Sequence, residues 1–282
     1  MSDDLLWHYT DTPGFTGIAK TRELWATCTE FLNDTLELKL GLQIAKEELA
    51  SQASFLRSEH PESSSEAVKN AASMLSLMEE RIHEQAIGDV YVTSFSKDGD
   101  SLPQWRSYGQ LGYAIGFDPD DFLDLARSST DDEEKRQGLG VATWQEVRYS
   151  DDAREVIERI VKALSVEMST GAPIAVTPED ADFKNAYRLA TQFSSIKHRS
   201  FSAEAEARLV FSHGDLPHDF RSSPLSGPIP YLRIPFRRTA VRKITVAPGP
   251  NLETRLLAAE FVKGSQFHDG VEVSPSNSSY KG

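Results

Sequence analysis

Short apolar runs and two long stretches of helical periodicity share the first third of the chain. Leu5-Leu6-Trp7-His8-Tyr9 reads as a short strand, Pro13-Gly14 as a break after it, and Leu24-Trp25-Ala26-Thr27 as a second extended piece. Asp34 followed three residues later by Glu37 has capping-box spacing, so a helix starts there. Continued to about Leu56, it places Leu38, Leu42, Leu49, Ala53 and Leu56 on one face. Ser58–Ser65, with Pro61, reads as a loop, and Val68, Ala71, Leu75, Met78 and Ile82 mark a second helix. The two helices predict a hairpin at about 34–87, inserted between the first strand region and the main sheet.

From Asp89 the pattern changes. Val90–Ser96, Gly112–Phe117 and Thr143–Tyr149 are aromatic and β-branched runs that predict strands. Between them Arg127–Gly140, with Asp131-Asp132-Glu133-Glu134, reads as a solvated acidic loop or a short exposed helix. Asp152–Met168 is helical, with Val156, Ile160, Ala163 and Leu164 inward, and Glu179–Lys197 predicts another helix. Strands at Glu204–Phe211, Tyr231–Phe236, Lys243–Ala247 and Val271–Ser274, a short helix at Leu252–Lys263 and a frayed Ser-rich tail complete the chain. The strands cluster instead of alternating with helices. That predicts an α+β fold with a mixed or antiparallel sheet core and helical insertions, residues 1–282 forming a single domain. A Gly-x-Gly-x-x-Gly turn and a Gly-Lys-Ser/Thr phosphate loop are both missing from the sequence, which argues against a Rossmann dehydrogenase and a P-loop enzyme.

Composition narrows the classes further. With 39% hydrophobic and 26% charged residues over 282 positions, a core can form and wholesale disorder is excluded. No apolar run approaches the roughly 18–20 residues of a membrane span. Met1-Ser2-Asp3-Asp4 lacks the basic and apolar regions of a signal peptide, and the expected location is the cytoplasm. The net charge of −13 disfavours bulk nucleic-acid or anionic-membrane binding. Arg233, Arg237, Arg238, Arg242 and Lys243 form a local basic group that fits a solvated strand pair. One cysteine, Cys28, excludes an intrachain disulfide framework, and it reads as a small buried hydrophobe.

Four segments could carry chemistry. Read as a strand, Glu204-Ala205-Glu206-Ala207-Arg208 puts Glu204, Glu206 and Arg208 in a row, about 6–7 Å between same-face neighbours. Adjacent carboxylates raise one pKa or recruit a cation, and Arg208 is that cation, with Lys197 and His198 upstream; the same row also fits a solvent-exposed sheet face. Trp7-His8-Tyr9-Thr10 offers an imidazole in a short strand, equally a core or surface histidine. Tyr91-Val92-Thr93-Ser94-Phe95-Ser96, followed by Trp105, Tyr108 and Tyr113, could bind a planar ring by stacking with hydroxyl hydrogen bonds, or simply pack a core. Phe31-Leu32-Asn33-Asp34 is a turn and helix cap. His213, Asp215, His218, Asp219, His268 and Asp269 sit in polar loop-like stretches without helical His spacing, so no metal site is expected. Ser94 and Ser96 lie outside any Gly-x-Ser-x-Gly elbow, which gives no support to a serine hydrolase.

Taken in order, Trp7-His8-Tyr9-Thr10, Phe31-Leu32-Asn33-Asp34 with Glu37, Val92–Ser96 with Trp105, Tyr108, Gly112 and Gly116-Phe117, Lys197-His198 with Phe201, Glu204, Glu206 and Arg208, and Ile244–Gly249 resemble the bacterial family known as domain of unknown function 2971. The resemblance spans about residues 5–250 and implies relatives without an activity. A more distant resemblance, to the ADP-ribosyltransferase superfamily, rests on His-Tyr-Thr in the first strand, hydroxyls and aromatics in a middle strand, and Glu-x-Glu in a late strand. It implies an ADP-ribosyltransferase-like fold with NAD as substrate. His8 would bind the adenosine-side ribose with Tyr9 and Thr10 beside it. Ser94, Tyr108 or Tyr113 would stand by the nicotinamide, with Trp105 and Arg208 completing the pocket. Glu206 would be the catalytic carboxylate, with Glu204 orienting an acceptor.

That chemistry makes physical sense of the residue types. Cleaving the nicotinamide–ribose bond develops positive charge on the sugar, which a carboxylate hydrogen-bonded to the ribose 2′-hydroxyl stabilises. The implied function is an NAD-dependent mono-ADP-ribosyltransferase or NAD glycohydrolase, of a toxin-like or phage-defence kind, acting on a protein, nucleic-acid or small-molecule acceptor. Two alternatives stand beside it: a non-catalytic module sensing a nucleotide, ADP-ribose or a protein partner, and a two-carboxylate glycosidase. The first reading requires His8 and Glu206 to converge on one cleft.

Overall fold

A computed structural model describes residues 4–32, 35–59, 66–81, 90–122, 143–151, 153–170, 191–212 and 218–278. In chain order its elements are β1 (Leu6–Thr10), α1 (Thr12–Thr21), β2 (Glu23–Cys28), α2 (Thr35–Glu59), α3 (Glu66–Arg81), β3 (Val90–Ser96), α4 (Leu102–Ser107), β4 (Tyr113–Phe117), β5 (Thr143–Glu146), β6 (Arg148–Ser150), α5 (Ala153–Ser169), β7 (Ile196–His198), β8 (Glu206–Ser212), β9 (Asp219–Ser223), β10 (Gly227–Pro235), β11 (Val241–Val246), α6 (Leu252–Gln266) and β12 (Glu272–Pro275). The class is mixed α+β with a mixed, largely antiparallel sheet. The chain divides into two compact units, one of residues 1–27, 91–147 and 200–282, the other of 28–90 and 148–199. The helical hairpin expected at 34–87 falls within the second, where 148–199 joins it.

The first unit is built on a ten-stranded sheet. Its main path runs β12-β11-β4-β1-β3-β2-β10-β9, with β8 also pairing β3 and β5 pairing β8. Registers fix the faces. Trp7 lies opposite Gly116 and Ser96, and Tyr9 opposite Ala114, so these share one side; His8 with Ile115 and Thr10 with Tyr113 share the other. On the first side Tyr9, Trp105, Ala114 and Ala247 form a buried cluster with Trp7 against it. On the second, Phe95, Phe117, Phe122, Trp144 and Phe236 pack edge-on or stacked, with centroids 4.9 to 6.1 Å apart.

The second unit is helical. Leu42, Leu49, Ala53 and Leu56 of α2 meet Ala71, Leu75 and Met78 of α3 and Ile157, Val161, Leu164 and Met168 of α5 in one core. The apolar periodicity at steps of three and four dictates those faces, although Ala163 is exposed and Ile157 and Val161 fill the place expected of it. β6 and β7 pair in parallel as a separate two-stranded sheet.

Several expectations change. Pro13-Gly14 does not break the chain but opens α1: Asp11 caps it, accepting from Gly14 N at 2.8 Å, and Pro13 sits in the first turn, where its missing N–H is no loss. The run Thr143–Tyr149 is two strands in two sheets. Of the helix expected at Glu179–Lys197, residues 191–193 are helical, Ile196–His198 is β7, and 179–190 lie outside the described residues. The tail is not frayed as far as residue 278: Ser276 N donates to Val246 O at 2.9 Å. Asn33, Asp34, Ile82, 127–140, His213 and Asp215 lie outside the described residues. Among the described residues no helix is long and apolar enough to cross a membrane.

Candidate functional site

β1 is the middle strand of the large sheet, and its two flanks differ. Five of its residues are registered with β4 but only Trp7, opposite Ser96, with β3. Past that pair a side chain continues the connection. His8 Nδ1 donates to the Ser94 carbonyl at 3.1 Å. A carbonyl only accepts, so the proton is on Nδ1 and Nε2 of the neutral ring is an acceptor. Burial pushes the His8 pKa below its usual value, and the Ser94 bond opposes this in part.

The expected convergence of His8 and Glu206 is not what the geometry gives. The His8 ring meets Phe95 edge-on at 5.8 Å, Phe95 meets Trp144 at 4.9 Å, and Trp144 is registered opposite Leu209 on β8. Those four side chains share one side of the sheet. Glu206, three residues from Leu209 on the same strand, therefore faces the other side. It is 4% exposed there and accepts from Arg208 Nε at 2.7 Å and Nη2 at 3.3 Å. Arg208 is 3% exposed, so this is a two-pronged pair almost out of water.

The other expected residues divide between packing and surface. Tyr9 donates to Asp98 O at 2.7 Å and accepts from Ser101 N at 2.9 Å, and burial raises its pKa. Trp105 is buried edge-on against Tyr9 at 4.7 Å and donates from Nε1 to Asp100 at 2.8 Å. Tyr113 is stacked on Phe15 at 4.0 Å, on the side opposite Tyr9 and Trp105. Thr10 is half-buried, while Ser94 and Tyr108 are exposed. Tyr9, Trp105 and Tyr113 thus serve packing, and the aromatics do not line one gap between His8 and Glu206.

Glu204 is not part of the row expected of a continuous strand. Arg199–Glu204 is a 3-10 segment, Ala205 has φ of 44°, and β8 begins at Glu206. Strand alternation does not reach back across that turn. The Glu204 carbonyl accepts from Ser96 Oγ at 2.8 Å and Gln104 Nε2 at 3.2 Å. The turn is therefore held beside the one β1–β3 pair from the Trp7 and Ser96 side of the sheet, not the His8 side. Sequence reading does not single out Gln104 and Asp100; their signal is a polar residue one and five positions before a buried tryptophan.

Asp219 is engaged by Arg233, and His268 Nε2 donates to Val241 O at 2.9 Å, its Nδ1 accepting from Gly270 N. Among the described residues no group of three or more His, Cys, Asp or Glu side chains is placed to hold a metal ion.

No curated protein and no solved structure matches the chain. A family model described as Protein of unknown function (DUF2971) matches residues 104–209, from Gln104 through Glu204, Glu206 and Arg208 to Leu209, and supports the likeness to that family over this stretch.

Proposed function

We propose that the first unit binds NAD where β1 and β3 meet and cleaves its nicotinamide–ribose bond, with Glu204 in the role first given to Glu206. This makes the protein an NAD-dependent mono-ADP-ribosyltransferase or NAD glycohydrolase. The observation that carries the reading is the Ser96 bond to the Glu204 carbonyl, which sets the Glu204 turn beside the Trp7–Ser96 pair, on the face of β1 opposite the His8 ring. The C–N bond breaks with its electron pair leaving on nicotinamide, and the carboxylate steadies the charged ribose through the 2′-hydroxyl until water or an acceptor adds. Nicotinamide release from NAD tests this. Glu204→Gln is expected to lose on the order of 10²-fold or more in rate, as for removal of a transition-state partner, with an unchanged melting temperature. A parent protein that releases no nicotinamide overturns it.

A second reading, binding without cleavage, is favoured by a different observation: both Glu206 oxygens are engaged by Arg208. It expects ADP-ribose to stabilise the fold by about 2.7 kcal/mol at a hundredfold excess over its Kd, with no product formed.

A further inference from the structure

Ala205 occupies the left-handed region, where Cβ crowds the following carbonyl and residues other than glycine, asparagine and aspartate are uncommon. Strain of this kind persists only where the surroundings over-determine it. Here they do. Ser96 Oγ and Gln104 Nε2 both donate to the Glu204 carbonyl, Lys97 N donates to Ala205 O at 2.8 Å, and Ala205 N donates to Ser202 O at 3.2 Å. Ser96 and Gln104 are 1% and 6% exposed, and buried polar side chains are placed where they find partners. Both spend a donor on the same carbonyl, one from the end of β3 and one from the first turn of α4. Ser96 Oγ also accepts from Asp98 N at 3.1 Å, which leaves its proton for Glu204.

We infer that Ser96 and Gln104 are positioning residues: they pin the left-handed turn at Ala205 and thereby keep Glu204 out of the row formed by Glu206 and Arg208. The inference rests on the reading of Glu204 given above. The alternative conformation is plain. Without the pins Ala205 relaxes to extended backbone, β8 lengthens by two residues, and alternation returns Glu204 to the face of Glu206.

Two arms test this. The first reads stability alone. Ala205→Gly removes the strain and is expected to raise the melting temperature of the parent; in a Ser96→Ala/Gln104→Leu background the turn is no longer imposed and the same change is expected to lower it. Equal shifts in both backgrounds overturn the pinning. The second arm reads nicotinamide release. Ser96→Ala and Gln104→Leu are expected to lower kcat about tenfold each with KM unchanged, whereas a merely structural role leaves kcat per folded molecule intact and overturns the positioning. If Glu204→Gln is as active as the parent, the catalytic reading fails and the positioning role falls with it, and the first arm still decides the pinning by itself.

Discussion

Arg208 grips Glu206 by both carboxylate oxygens from two positions further along the same strand. Side chains at i and i+2 of a strand stand on one face, so the pair is fixed by local geometry before any tertiary packing. Taking both charges out of water is expensive, and the bond repays it only while both partners are present.

Breaking the pair is therefore expected to be severe and replacing it mild. Glu206→Gln takes the carboxylate away from the buried Arg208 guanidinium and is expected to lose about 3–5 kcal/mol in urea denaturation. Glu206→Leu combined with Arg208→Met is expected to recover most of that loss. A single variant within 1 kcal/mol of the parent would contradict the buried pair.

His8 gives a pH dependence with a definite sign. Its folded pKa lies below the ordinary 6.5, because burial disfavours the imidazolium. Below pH 6.5 the unfolded chain takes up a proton that the folded chain refuses, so stability falls as pH drops from about 7 toward the folded pKa. The slope approaches at most about 1.4 kcal/mol per pH unit. His8→Asn removes this component, and melting temperatures of parent and variant between pH 7.5 and 5.5 are expected to converge on acidification. Parallel curves would refute the assignment.

Asp100 ties three pieces together. Its carboxylate accepts from Trp105 Nε1, from Ser276 Oγ and, at 2.6 Å, from Asn277 N. Hydrogen bonds to a charged acceptor contribute roughly 1.5–3 kcal/mol each, though such terms do not add. Asp100→Ala is expected to destabilise by about 3 kcal/mol, to shift Trp105 fluorescence and to open residues 276–278 to protease. Truncation after Pro275 is expected to reproduce the protease-independent part, in smaller measure.

Two glycines should respond oppositely to alanine. A Cβ on Gly112 would lie 2.1 Å from the Thr10 carbonyl oxygen, and neither backbone can move without opening the β1–β4 ladder. Gly112→Ala is expected to cost about 3 kcal/mol or more. A Cβ on Gly17, exposed in α1, meets nothing within 4 Å, and Gly17→Ala is expected to stabilise by about 0.5–1 kcal/mol. Thermal denaturation of the two variants decides both.

The elements legible in the sequence are those whose periodicity is undisturbed. β1, β3, β4 and β11 read directly from aromatic and β-branched runs, and α2 and α3 from steps of three and four. The rest was hidden for local reasons. Pro13-Gly14 signals a break by composition, and only the Asp11 cap makes it a helix start. β9 and the first half of β10 were missed because Asp219–Ser223 is polar and Pro228 and Pro230 read as breakers; β9 is the terminal strand of the sheet path, where polar residues are tolerated. At the candidate site, the Glu204-x-Glu206 spacing was visible but its meaning was not. Alanine carries no signal for a left-handed turn, so strand alternation was extended two residues too far. The opposite facing of His8 and Glu206 follows from a register and a chain of ring contacts that no single segment contains.

The neighbours of β1 are drawn from residues 90–96 and 113–117, and β4 is in turn flanked by 241–246. β1 is thus made before both of its partners, whereas α2 and α3 meet across a short sequence separation. Loop closure of this length makes such pairing slow. During translation the helical hairpin can form while Trp7-His8-Tyr9 still waits, unpaired, for strands that the ribosome has yet to deliver.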